Sequence, residues 1–143
     1  MKVKVSVVQD SPVFFNKEES LQKLELLVRK CKSEGSQLVV FPESFIPGYP
    51  RGFSFGATIG RRTKEGRELY DNYYQNSIDL ATQDKTRLEE LAAESGAYLV
   101  IGVTEKMQSN GSLYCSMLYV SPTNGLIGVH RKINDRYRAI DLG

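Results

Sequence analysis

Four consecutive apolar residues, Leu38-Val39-Val40-Phe41, run directly into Pro42 and Glu43, and no other stretch constrains the fold of this chain as tightly. The run is short, continuous and rich in β-branched side chains, which predicts a strand buried on both faces. Pro42 ends it, because proline has no backbone N–H to give to a ladder. The first side chain past that stop is a carboxylate. Two further prolines (Pro47, Pro50), two glycines (Gly48, Gly52) and three aromatics (Phe45, Tyr49, Phe53) follow, so the segment reads as an irregular loop. Open α/β sheets place their chemistry beyond the carboxyl ends of the strands. On that ground Glu43 is a candidate general base, whose pKa the surrounding aromatic wall would raise. From position alone it reads equally as a loop cap or a surface partner of Arg51.

The rest of the chain falls into place around this strand. Lys2 to Gln9 alternates and predicts a first strand. Asn16 caps a helix with Glu18 and Glu19 in its first turn and Leu21, Leu24, Leu27, Val28 and Cys31 on one face, and Gly35 closes it. The opening is therefore β-α-β with parallel strands. A polar helix from Thr63 to Ser77 and another from an Asp84 cap to Glu94 precede a strand at Ala97–Val103. Turns at Ser109–Ser112 and Pro122–Gly125 then separate strands at Leu113–Val120 and Leu126–His130. The expectation is an α/β fold whose mixed sheet joins a parallel start to an antiparallel meander, with flanking helices.

Composition narrows the class. Of 143 residues, 41% are apolar and 25% charged, an ordinary globular balance, enough for one domain. A net charge of +2 gives no electrostatic footing for a nucleic-acid or membrane partner. No apolar run reaches bilayer length and no signal-peptide core follows Met1, so a cytoplasmic protein is expected. Two cysteines and the single His130 offer no metal-ligand spacing, so neither metal nor other cofactor is expected. Cys31 lies on an apolar helix face and Cys115 in mid-strand, and both read as packing residues. Val129-His130-Arg131-Lys132 ends the last strand with three basic groups. Lys132 could stabilise an anionic intermediate, or simply be part of a basic surface.

Val39-Val40-Phe41-Pro42-Glu43 with Gly48-Tyr49-Pro50-Arg51-Gly52-Phe53, and later Gly125-Leu126-Ile127-Gly128-Val129-His130-Arg131-Lys132, resembles the nitrilase branch of the carbon–nitrogen hydrolase superfamily. The resemblance covers residues 1–132 and implies the first part of a nitrilase-type α-β-β-α sandwich, with 133–143 a divergent tail. It implies catalytic roles for Glu43, as general base, and Lys132, in a Glu-Lys-Cys triad that hydrolyses an organic nitrile to a carboxylic acid and ammonia. The family's nucleophilic cysteine follows the lysine, in a Cys-Trp-Glu segment. Here no cysteine follows Lys132 and the chain has no tryptophan. The expectation is a truncated form, inactive alone, so that whether this chain is itself an enzyme stays open. The alternatives are a non-catalytic protein associating with intact nitrilase subunits, or an amidase-type member of the superfamily. A half-sandwich would also expose an apolar sheet face, built from strands such as Leu38–Phe41 and Leu99–Val103. That predicts a homo-oligomer or association with full-length subunits.

Overall fold

The computed structural model describes residues 2–51 and 63–132. The end of the aromatic loop, including Gly52 and Phe53, and the tail 133–143 lie outside the described residues. The elements in order are β1 (Val5–Val7), α1 (Lys17–Ser33), β2 (Leu38–Val40), α2 (Lys64–Gln75), α3 (Gln83–Ser95), β3 (Tyr98–Lys106), β4 (Leu113–Ser121) and β5 (Gly125–Arg131). They form an α/β fold around one mixed sheet ordered β1-β2-β3-β4-β5. The pairs β1–β2 and β2–β3 are parallel, and β3–β4 and β4–β5 antiparallel. The parallel start and antiparallel meander expected from the sequence are both present. Only the edge strand β1 is much shorter than its alternating pattern.

Each helix begins where a side chain can satisfy its first amides. Asn16 accepts from Glu19 N–H at α1 and Thr63 from Gly66 N–H at α2. For α3 the cap is Thr82, not Asp84. Asp84 lies in the first turn, where its carboxylate accepts from Asp79 N–H (3.0 Å) and from Lys17 Nζ (2.8 Å). A carboxylate in that position also suits the helix dipole, which is why the two roles look alike in sequence. Gly96 ends α3 in the left-handed conformation (φ 65°).

Period-two alternation divides the sheet into two unlike faces. Val39, Leu99, Ile101, Val103, Leu118 and Val120 point to one side and are buried against Leu21, Leu24 and Val28 of α1 and Leu88, Leu91 and Ala92 of α3. The strand residues between them point the other way, and there Val5, Val7, Tyr98 and Tyr119 are exposed. The expected apolar face is thus half of what the strand runs suggested: Val39, Leu99 and Ile101 sit under helices, while Leu38, Val40 and Val100 line the open side. A groove of about 500 Å³ runs along that side between Leu38, Tyr98, Val100, Tyr119 and Ile127.

Candidate active site

Pro42 creates the site by interrupting a ladder that resumes beyond it. Phe41 N–H donates to Val100 O (2.8 Å) and Phe45 N–H to Gly102 O (2.8 Å). The two acceptors are two residues apart on β3, whereas the donors are four apart, so Pro42, Glu43 and Ser44 swell out of the ladder. Phe41 and Phe45 stay in the core on either side of the swelling, their ring centroids 5.0 Å apart. Ser44 takes a left-handed φ of 47°, uncommon for a residue with a Cβ and a feature of backbones held for function.

The swelling crosses the open face of the sheet over Gly102. A Cβ at Gly102 would lie 2.2 Å from Pro42 O and 2.6 Å from Glu43 Cα, so only glycine fits beneath it. Further along the loop, Gly48 O accepts from Tyr73 Oη (3.1 Å), and the same buried hydroxyl shares a 2.7 Å hydrogen bond with Thr104 Oγ1. In this way α2 fastens the loop to β3.

Lys132 arrives from the other side of the sheet. Its N–H donates to Cys115 O (2.9 Å), extending the β4–β5 ladder by one residue. Its neighbour Arg131 points to the helix-covered face and forms two bonds to the buried Glu105 (2.9 and 2.6 Å), which also accepts from Ser116 Oγ (2.7 Å). The Arg131 guanidinium stacks on Tyr114, 4.3 Å from the ring centroid. Because successive strand residues face opposite ways, fixing Arg131 on one face aims Lys132 at the other.

There Lys132 Nζ meets Glu43 Oε1 at 2.7 Å. The same oxygen accepts from Cys115 Sγ at 3.1 Å, and Ser44 Oγ lies 3.8 Å from that sulfur. Glu43, Cys115 and Lys132 border a hollow of about 160 Å³ with Met117 and His130. Glu43 is about half exposed. The hydrogen bond from Lys132, then that from Cys115, hold its carboxyl below the usual carboxylate range, against a smaller upward push from burial. The Glu43 carboxylate in turn raises Lys132.

Both sequence candidates therefore meet in one ion pair, though not on adjacent strands: β3 and β4 lie between β2 and β5. The swelling after Phe41 bridges that distance. The pKa of Glu43 moves down where an aromatic wall was expected to move it up, because a cation at 2.7 Å outweighs partial burial. Cys115 belongs to the cluster, contrary to its reading as a packing residue. The strand alternation held the signal: Cys115 pairs opposite Thr104, two residues from Gly102, and so shares the face over which Glu43 crosses.

A larger groove, about 640 Å³, lies near Asp79, Glu105 and Arg131 on the helix side. Its charged groups are already engaged: Glu105 with Arg131, Asp79 with Gln108 Nε2 (2.5 Å) and Ala81 N–H (2.9 Å), and Lys106 over the Tyr74 ring (5.3 Å). Among the described residues, no three His, Cys, Asp or Glu side chains gather as a metal site. None of the helices among them is long and apolar enough to cross a membrane.

A carboxylate and an ammonium group just beyond the carboxyl ends of β2 and β5, meeting a thiol near the start of β4, are the elements of an acid–base and nucleophilic site. Comparison with known proteins places the sequence: residues 4–141 match the carbon–nitrogen hydrolase family, and the chain belongs to it. It is 40% identical over 131 residues to nitrilase 3 of Arabidopsis thaliana, covering 92% of this chain and 37% of that protein. Against the bifunctional nitrilase/nitrile hydratase NIT4B of Nicotiana tabacum, identity is 42% with the same coverages. An arylacetonitrilase of Trametes versicolor is 39% identical, with 92% of this chain and 41% of that one covered. The chain thus spans about two-fifths of the length of these relatives. Among solved structures, the carbon–nitrogen hydrolase superfamily protein XC1258 of Xanthomonas campestris superposes with a TM-score of 0.67 at 18% identity, over 92% of this chain and 41% of that one. A carbon–nitrogen hydrolase from Helicobacter pylori gives 0.61 at 18%, covering 94% and 42%. These two likenesses concern the fold.

Proposed function

We propose that this chain carries the acid–base part of a nitrilase-type active site acting on a small organic nitrile, with Glu43 and Lys132 as its catalytic residues. The observation that carries the reading is the 2.7 Å contact between Glu43 and Lys132 at the mouth of the hollow. Relatives named as nitrilases support the substrate class. In the reaction a cysteine thiol adds to the nitrile carbon. Glu43 takes the thiol proton and passes it on to the nitrogen, forming a thioimidate. Water adds to that carbon, ammonia leaves, and a second water releases the carboxylic acid. Glu43 activates each water, and the Lys132 ammonium stabilises the charge that develops on nitrogen and oxygen. A carboxyl held below its usual range is ionised at neutral pH and ready to accept a proton.

The family's nucleophile lies beyond the lysine, and residues 133–143 contain no cysteine. The 143-residue polypeptide alone is therefore expected to release no ammonia from aliphatic, aromatic or arylacetic nitriles. Ammonia release that vanishes in Cys115→Ser would overturn this and assign the nucleophile to Cys115. Hydrolysis of amides in place of nitriles, in the same assay, would move the chain to the amidase side of the family.

A second reading is favoured by the open sheet face. Tyr98, Tyr119 and Ile127 are exposed there along one groove, and Val5 and Val7 are exposed on the same face. Such a face is suited to association, with a second copy or with an intact nitrilase subunit in the cytoplasm, and that role needs no catalysis. Light scattering at micromolar concentration tests it, with a species larger than the monomer expected. A monomer that melts cooperatively and binds no hydrophobic dye contradicts it.

A further inference from the structure

We infer that Cys115 is a modification site of this chain, a thiol that adds to small neutral α,β-unsaturated carbonyl compounds with Glu43 as its proton acceptor. The inference rests on three groups meeting at one hollow. Cys115 Sγ donates to Glu43 Oε1 at 3.1 Å, and Lys132 Nζ reaches the same oxygen at 2.7 Å. All three line a hollow of about 160 Å³, room for a few heavy atoms. Cys31, by contrast, packs against the helix-side core and provides an internal comparison.

The step balances without an outside reagent. The Sγ–C bond forms at the β-carbon, and the electrons of the C=C bond move onto the carbonyl oxygen. The thiol proton passes to the Glu43 carboxylate and from there to the α-carbon, which leaves a thioether and restores ionised Glu43. Lys132 has three N–H donors, so it can hold Glu43 and still donate to the developing enolate oxygen. Neutral, slender acceptors suit a narrow hollow whose cation and anion already pair. Among the described residues, the charged and titratable groups facing the sulfur are Glu43 from the loop after β2 and Lys132 from the end of β5. His130 lines the same hollow, and Tyr49 acts on Lys132 from farther along the loop.

This inference shares with the nitrilase reading Glu43 as proton acceptor and Lys132 as stabiliser of the developing negative charge, and it requires no nitrile. Its test is the pH dependence of alkylation by acrylamide, read at each cysteine by peptide mass mapping on the 143-residue protein. A thiol reacting only as its thiolate speeds up about a hundredfold between about pH 6 and pH 8, in proportion to ionisation. With Glu43 already ionised and accepting the proton, Cys115 is expected to change by less than about threefold over that range. Cys31 should follow the steep course. Glu43→Gln should restore the steep course at Cys115, and His130→Gln should leave it shallow. A Cys115 rate that climbs in step with Cys31 in the unaltered protein overturns the inference, and so does absence of a Cys115 adduct. Neither result bears on nitrile hydrolysis, which is read separately as ammonia.

Discussion

Glu43 stands over Gly102 so closely that its Cα would lie 2.6 Å from any Cβ placed there. This relationship between a loop residue and a strand glycine decides where the carboxylate goes. The Pro42–Ser44 swelling has one path across the sheet, and Gly102 leaves that path open. Lys132, aimed by Arg131 on the opposite face, closes the other side.

Gly102→Ala should therefore displace the swelling. We expect a loss of about 1–3 kcal/mol, the usual range for forcing a methyl group into a packed site. The Glu43–Lys132 contact should be lost with it, since the clash is with backbone and cannot be relieved by a rotamer. Gly128→Ala is the control, because its Cβ would meet only Tyr119, at an ordinary 3.5 Å. Urea denaturation of both variants checks this, and equal midpoints would contradict it.

Lys132→Met should raise the Glu43 pKa from its depressed position toward its ordinary value near 4.5. The sign follows from linkage. A carboxyl whose pKa is lower folded than unfolded adds stability above its ordinary value, and this is lost as pH falls through the folded one. Lys132, raised above 10.5, adds stability below that value and loses it as pH rises through the folded one. The pair therefore contributes across the neutral range and fades at both extremes. Because both side chains are about half exposed, the effect on stability is small, and titration of the Glu43 carboxyl carbon by NMR is the right measurement. An unchanged Glu43 titration in Lys132→Met would remove the ion pair from the account.

Glu105→Ala should be more costly. Glu105 is buried and holds both Arg131 and Ser116. Removing one partner of a buried ion pair costs about 3–5 kcal/mol, and the lower end applies here because Arg131 keeps access to water. The end of β5 should loosen, so Lys132 should lose its aim and the Glu43 titration should shift upward as well. A Glu105→Ala protein that is as stable as the parent and titrates identically at Glu43 would show that Arg131 does not position Lys132.

How much of this was legible beforehand differs between elements and site. The order of strands and helices followed from alternation, caps and turn residues, because those signals are local. Asn16 and Gly35 mark their helix ends where expected. The Thr82 cap was missed because Asp84, two residues on, offers the same chemistry. Glu43 and Lys132 were legible as polar residues at the ends of apolar runs. Their mutual contact followed only from the triad that the family resemblance implies, since it depends on a swelling that carries Glu43 over β3. The direction of the Glu43 pKa failed for the same reason: burial can be guessed from neighbours in sequence, but a cation 89 residues away cannot. Cys115 was passed over because mid-strand thiols are usually inert, and only the register with β3 reveals its face.

Glu43 and Lys132 are proposed to serve nitrile hydrolysis. The most direct measurement joins residues 1–132 of this chain to the remaining C-terminal part of the NIT4B relative, which matches it at 42% identity. Ammonia release is then measured on a panel of nitriles, with folding checked by circular dichroism. Hydrolysis by the folded chimera is expected, falling at least about a hundredfold in Glu43→Gln and in Lys132→Met, the scale expected for a general base and for an electrostatic stabiliser. A folded chimera that hydrolyses nitriles as fast with Glu43→Gln as without it, or that hydrolyses none, would show that these residues do not serve the reaction.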